Sequence, residues 1–134
     1  MTVRNLDALF RPHSVALIGA SARPGSIGAL VARNLRDGGF DGPIGLVNPK
    51  GGTIAGLACA TDAAALPFVP DLAVIATPPA TVPGLVATLA ARGTRGVVVI
   101  TAGFGEGGSA EGAALRQRML DAARPTLTRI VGPN

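Results

Sequence analysis

Aromatic residues are almost missing from this chain, with four Phe, no Trp and no Tyr in 134 residues. Stacking platforms for unpaired bases are therefore excluded as a way of holding nucleic acid. Cysteine occurs once, at Cys59. That excludes a disulfide framework and any multi-cysteine metal site, and leaves the residue as a small buried packer by default. Histidine also occurs once, at His13, and it reads as a partly solvated loop residue. No Ser/His/Asp set and no paired carboxylates placed for acid–base work accompany it, so no catalytic residue is assigned. No apolar run approaches the roughly 18 residues of a membrane span. The run nearest the N-terminus is too short for a signal peptide, although Ala20-Ser21-Ala22 imitates a cleavage site. The expected location is the cytoplasm, with no membrane partner. Charge is sparse as well: 12 basic against 8 acidic residues give a net +4. The arginines are scattered rather than gathered into a run, so this balance reads as a pull on small anions and not as a nucleic-acid surface.

What the chain does hold is glycine, 19 residues of it, and a 48% hydrophobic fraction. At this length a single domain over residues 1–134 closes one core and buries roughly two-thirds of its unfolded surface. The most informative stretch runs from Ser14 to Gly28. An apolar, β-rich run stops at Gly19, enters a small polar loop, and restarts as a helix. Glycines let backbone N–H groups approach a ligand, and the helix aims its positive end at the loop, a geometry that suits phosphate. Gly25-Ser26-Ile27-Gly28 supplies the last half of the dinucleotide fingerprint, but Gly19 lies six residues before Gly25. The loop is therefore longer than that of an NAD site, with Ser21, Arg23 and Ser26 inside it as side-chain donors. A side chain at Gly28 is expected to abolish ligand binding while largely sparing the fold. The second strand ends in Asn48-Pro49-Lys50, where an NAD site would carry an acidic residue for the ribose. Lys50 is the only lysine in the chain. A cation there suits a phosphorylated ribose, as in NADP or coenzyme A.

Periodicity predicts the rest of the order. Asn5 caps a short helix over Leu6–Phe10 that Pro12 closes, and strands follow at Val15–Ile18 and Ile44–Val47. The helix between them starts near Gly28, buries Ile27, Leu30, Val31 and Leu35, and ends at Gly38-Gly39. Residues 53–60 read as a small extended excursion, and Thr61 opens a helical turn before Pro67. Leu72–Ala76 is a buried strand broken by Thr77-Pro78-Pro79; Val82, Leu85, Val86 and Leu89 then mark a helix to Gly93. Val97–Ile100 is the next strand, and Ser109 caps a helix carrying Leu115, Met119 and Ala123. Thr128–Val131 is the last strand. The alternation predicts an α/β, Rossmann-like doubly wound parallel sheet, with five main strands in the order 3-2-1-4-5 and helices on both faces. Loops 19–28, 48–52, 77–81 and 101–108 then share the carboxyl edge, where such folds bind ligands. Glu106, the one acidic residue among them, reads as a solvated charge.

Five motifs, in order over essentially the whole chain, carry a resemblance: Phe10-x-Pro12-x-Ser14 through Ser21, Val47 through Lys50, Asp71 through Ala76, Ala102 through Phe104, and Gly132-Pro133-Asn134. The chain resembles the N-terminal coenzyme A-binding domain of NDP-forming acyl-CoA synthetases. That domain also opens ADP-forming acetyl-CoA synthetases and some protein acetyltransferases, and is related to the α subunit of succinyl-CoA synthetase. The resemblance implies coenzyme A or acyl-CoA as ligand, with its phosphates on Gly19, Ser21, Arg23, Gly25, Ser26 and Gly28. Asn48, Pro49 and Lys50 would lie near the adenosine. Thr77, Pro78, Pro79 and Val82, with Thr101, Ala102 and Gly103, would flank the nucleotide and pantetheine. The phosphorylated histidine of the family belongs to a later domain, so the partners implied are further synthetase domains or subunits. The chain stops directly after a strand, and the expectation is an N-terminal piece of a longer multidomain protein. Alternative readings are an NADP-binding domain of an oxidoreductase, which Lys50 would also suit, and a stand-alone coenzyme A sensor.

Overall fold

Short β-branched runs alternate with helical segments, and that alternation leaves parallel strand pairing as the natural solution. The computed structural model describes residues 3–134. Its elements are α1 (Leu6–Phe10), β1 (Val15–Ile18), α2 (Ile27–Asp37), β2 (Ile44–Val47), β3 (Thr53–Ile54), β4 (Leu57–Ala60), β5 (Leu72–Ile75), α3 (Val82–Arg92), β6 (Gly96–Val99), α4 (Ala110–Ala123) and β7 (Arg129–Val131). Single 3₁₀ turns lie at Ala63–Ala65, Pro79–Thr81 and Arg124–Thr126. One sheet runs β3-β4-β2-β1-β5-β6-β7. Every neighbouring pair is parallel except the β3–β4 hairpin.

The Rossmann-like, doubly wound fold is therefore present, in a mixed sheet with more strands than the five expected. With β4 counted as the third strand the parallel part runs 3-2-1-4-5-6, which contains the expected order, whereas the five strands named from the sequence run 2-1-3-4-5 by themselves. Leu57-Ala58-Cys59-Ala60 is short and small-chained, so its local strand signal is weak. Pairing with β2 (Leu46 to Cys59, Val47 to Ala60) makes it a strand.

Alternate residues of the strands feed two separate cores. Ala16, Ile18, Ile75, Val97 and Val99 face α3 and α4, where Val82, Val86, Leu89, Leu115 and Met119 pack against them. Leu17 and Leu46 face the other way, toward Ala20, Ala32 and Ile54. The buried residues of α2 are Gly28 and Ala32, with Val31 and Leu35 partly buried beside them. Ile27 and Leu30, expected inside, are 51% and 43% exposed. The helix sits close to the sheet through its small residues, which turns these two larger ones outward.

Asn5 does not cap α1 through its side chain. It has a left-handed backbone, and its amide donates instead to the carbonyls of Thr126 and Leu127, tying the N-terminal segment to the approach to β7. The turn at Ala63 is capped by Asp62, whose carboxylate accepts the Ala65 N–H, rather than opened by Thr61.

Leu17 is fully buried in the smaller core. Leu17→Ala should lower the unfolding free energy by about 3 kcal/mol, read from urea denaturation. Leu30→Ala, on the same sheet face but outward, should stay within roughly 0.5 kcal/mol of the parent.

Candidate functional site

Parallel strands deliver their carboxyl ends to one edge, and the chain switches direction there between β1 and β5, opening a crevice between the two halves of the sheet. Gly19 lines that crevice with φ +102°. A Cβ at this position would meet the Ala76 carbonyl oxygen at 2.6 Å, so any side chain would close the gap. The loop is held from β2, whose Val47 carbonyl accepts the N–H groups of Gly19 and Ala20, both at 3.1 Å. Asn48 continues the tie: Nδ2 donates to the Ala20 carbonyl and Oδ1 accepts the Lys50 N–H, each at 2.8 Å.

Inside the loop the hydroxyls are spent largely on its own shape. Ser21 Oγ accepts the Arg23 N–H at 3.0 Å. Ser26 Oγ donates to the Arg23 carbonyl and accepts the Ala29 N–H, so Ser26 is the N-cap of α2. Gly25 needs its positive φ of +80° but faces open space. Gly28 is the opposite case. Its missing Cβ would collide with the Gly19 carbonyl oxygen, a backbone atom that cannot swing aside. The expectation that a side chain here spares the fold is thus corrected: the strand–helix contact itself would be forced apart. Lys50 is exposed and lines, with Ser21, Arg23, Asn48 and Ile54, a concavity of about 510 Å³. The only cysteine stands in β4, partly buried rather than enclosed, and burial pushes its thiol pKa up.

The other half of the edge is built by hydroxyls. Thr101 Oγ1 donates to the Thr77 carbonyl at 2.7 Å. Thr81 Oγ1 donates to the Pro78 carbonyl and lies 2.6 Å from Thr77 Oγ1, which makes Thr77 the donor in that pair. Pro79 packs over Gly103, where a Cβ would come within 2.9 Å of its Cγ. Ala102 is exposed beside them. Val82 brings no side chain to the edge. Its side chain is fully buried in the α3 core and its N–H bonds to the Pro79 carbonyl, so the first apolar position of the helix serves packing.

Glu106 is exposed, as a solvated charge would be, but composition did not show what its carboxylate binds. Its carboxylate accepts the N–H of Gly103 through both oxygens (3.1 Å each) and that of Phe104 at 2.9 Å. Its own N–H, then those of Gly103 and Phe104, hold its carboxyl below the usual range. The legible signal was a carboxylate two or three residues beyond a glycine turn.

Residues 13–134 match the family described as CoA binding domain. The chain belongs to that family. Its ligand is coenzyme A. The ADP-forming acetate–CoA ligase I subunit alpha of Pyrococcus furiosus is 40% identical over 134 residues, covering 97% of this chain and 29% of that protein. A trans-feruloyl-CoA synthase from an unknown prokaryote is 45% identical over 105 residues, or 78% of this chain and 15% of its own. Among solved structures, the apo acetyl-coenzyme A synthetase 1 of Ca. Korarchaeum cryptofilum superposes with a TM-score of 0.87 at 36% identity, over 96% of this chain and 28% of that one. The chain thus spans less than a third of each of these relatives. Among the described residues no helix is long and apolar enough to cross a membrane.

The glycines of the loop between β1 and α2 differ in what they tolerate. Gly28→Ala should cost roughly 3 kcal/mol of stability through backbone collision and weaken coenzyme A binding with it. Gly25→Ala, strained only by its φ, should cost about 1 kcal/mol. Denaturation midpoints and titration calorimetry on the same preparations check both.

Proposed function

We propose that this domain presents coenzyme A to the catalytic apparatus of an ADP-forming acid–thiol ligase whose other domains or subunits carry the phosphoryl chemistry. The phosphates lie over the Gly19–Gly28 loop, where the first turn of α2 and its dipole favour an anion. Arg23 and Lys50 meet the phosphorylated adenosine, and the pantetheine arm runs past loops 77–81 and 101–103. The observation that carries this reading is the concavity in which Ser21, Arg23 and Lys50 stand together at the end of β2, beside the capped start of α2. Side chains this far apart in sequence converge on a site with two cations and no ribose-chelating acid. The named relatives differ in their acid, acetate for one and trans-ferulate for another. Acyl choice therefore belongs to regions beyond this domain, which supplies the thiol acceptor to each.

Coenzyme A should protect the chain against heat, by about 2.7 kcal/mol when present at a hundredfold excess over Kd. Calorimetry should rank it above NADP, NAD and ATP; tighter binding of NADP would overturn the reading. Lys50→Ala should weaken coenzyme A roughly tenfold to a hundredfold through loss of one charge-assisted contact, and unchanged affinity would remove Lys50 from the site. Incubated with acid, ATP and coenzyme A, the chain alone should form no thioester.

A further inference from the structure

The loop between β6 and α4 should be the least ordered part of the carboxyl edge. It holds Gly103, Gly105, Gly107 and Gly108, and three of them take positive φ. Such a segment has many backbone conformations to lose. It is nonetheless tied at several points. Phe104 is 3% exposed and roots the loop in the core. The Gly108 N–H reaches the Gly105 carbonyl at 2.9 Å. Gly112, buried in the first turn of α4, leaves room for the loop: a Cβ there would run into the Gly105 nitrogen and come within 2.9 Å of the Gly103 carbonyl oxygen. Those contacts fix the loop from beneath. The side toward Pro79 depends on Glu106, which binds two successive N–H groups at the point where Gly103 passes under Pro79.

We propose that Glu106 is a positioning residue for the thiol-bearing arm of coenzyme A. By clamping the Gly103 and Phe104 N–H groups it sets the wall formed by Gly103 and Pro79. The inference rests on coenzyme A lying across this edge as described above. Sheet order supplies the direction: the Lys50 loop follows β2, the Gly19 loop β1, the Thr77 loop β5 and the Gly103 loop β6, on consecutive strands. A ligand with its adenosine at the β2 end and phosphates over β1 extends its other end over β5 and β6, roughly 10 Å away at ordinary strand spacing. A carboxylate suits the task because it only accepts, so both oxygens meet donors. The amide of glutamine would turn an NH₂ toward one of them.

The test separates the two halves of the ligand. Calorimetry on the parent and on Glu106→Gln compares coenzyme A with adenosine 3′,5′-bisphosphate, which lacks the arm. Coenzyme A should bind Glu106→Gln about tenfold more weakly than it binds the parent, while the bisphosphate stays within about twofold. Glu106→Asp, which keeps the carboxylate, should recover part of the loss. Equal losses for both ligands would show a merely structural role, and unchanged coenzyme A affinity would show none; either overturns the assignment. A parent that binds no coenzyme A would instead overturn the ligand reading, and the assignment with it. Should Glu106→Gln not fold, amide resonances of the parent decide. Gly103 and Phe104 should shift on adding coenzyme A but not the bisphosphate, and no shift with coenzyme A overturns the proposal.

Discussion

The contact between Gly28 and the Gly19 carbonyl governs how close α2 can come to the sheet, and much of the β1 and β2 side of the edge follows from it. A helix that starts directly against the turn leaving β1 brings its first N–H groups to the mouth of the crevice. Only a residue without Cβ allows that approach. Gly28 and Ala32 then form the buried stripe of α2. The core they cover is correspondingly thin, with Leu17, Leu46 and Ile54 as its larger members. Ser26 completes the arrangement by satisfying an otherwise unpaired donor of the first turn.

The two halves of the carboxyl edge reach order by different means. On the β1 and β2 side, main-chain bonds from Gly19 and Ala20 to Val47 and the Asn48 amide lock one loop to its neighbour. On the β5 and β6 side, the Thr101, Thr77 and Thr81 hydroxyls and the Glu106 carboxylate do the equivalent work. Glycine permits the conformations in both halves, and polar side chains select one of them. That division suits a long ligand of mixed character. Its charged end needs exposed N–H groups and cations, and its arm needs a shaped wall of proline and glycine.

Much of this was legible in the residues. Five of the strands, the three longer helices, the Ser109 cap and the glycine loops all follow from local pattern, to within a residue or two at their ends. Sheet order was only partly legible. β4 has little propensity of its own, and its place outside β2 comes from a ladder partner more than ten residues away. The candidate site was legible as a set of loops and less so as a set of side chains. Val82 is in the right loop by sequence and inside the core by geometry. Glu106 is a loop charge by composition and a ligand of backbone amides by geometry.

The sequence by itself determined the α/β alternation, the glycine-rich loop between β1 and α2, the lone lysine after β2 and the motifs that mark the family. Each is a local property, written in periodicity, in backbone permissions or in the order of a few residues. Tertiary structure alone decided which faces those elements present. Ile27 and Leu30 turn outward because α2 touches the sheet through glycine and alanine, and Asn5 leaves its cap to hold the chain beside β7. Glu106, though exposed, turns its carboxylate back onto its own loop because the glycines around it leave two N–H groups there that no strand or helix has paired. These outcomes depend on which backbone donors remain unpaired and which surfaces meet after the sheet is assembled, and no short window of residues contains that information.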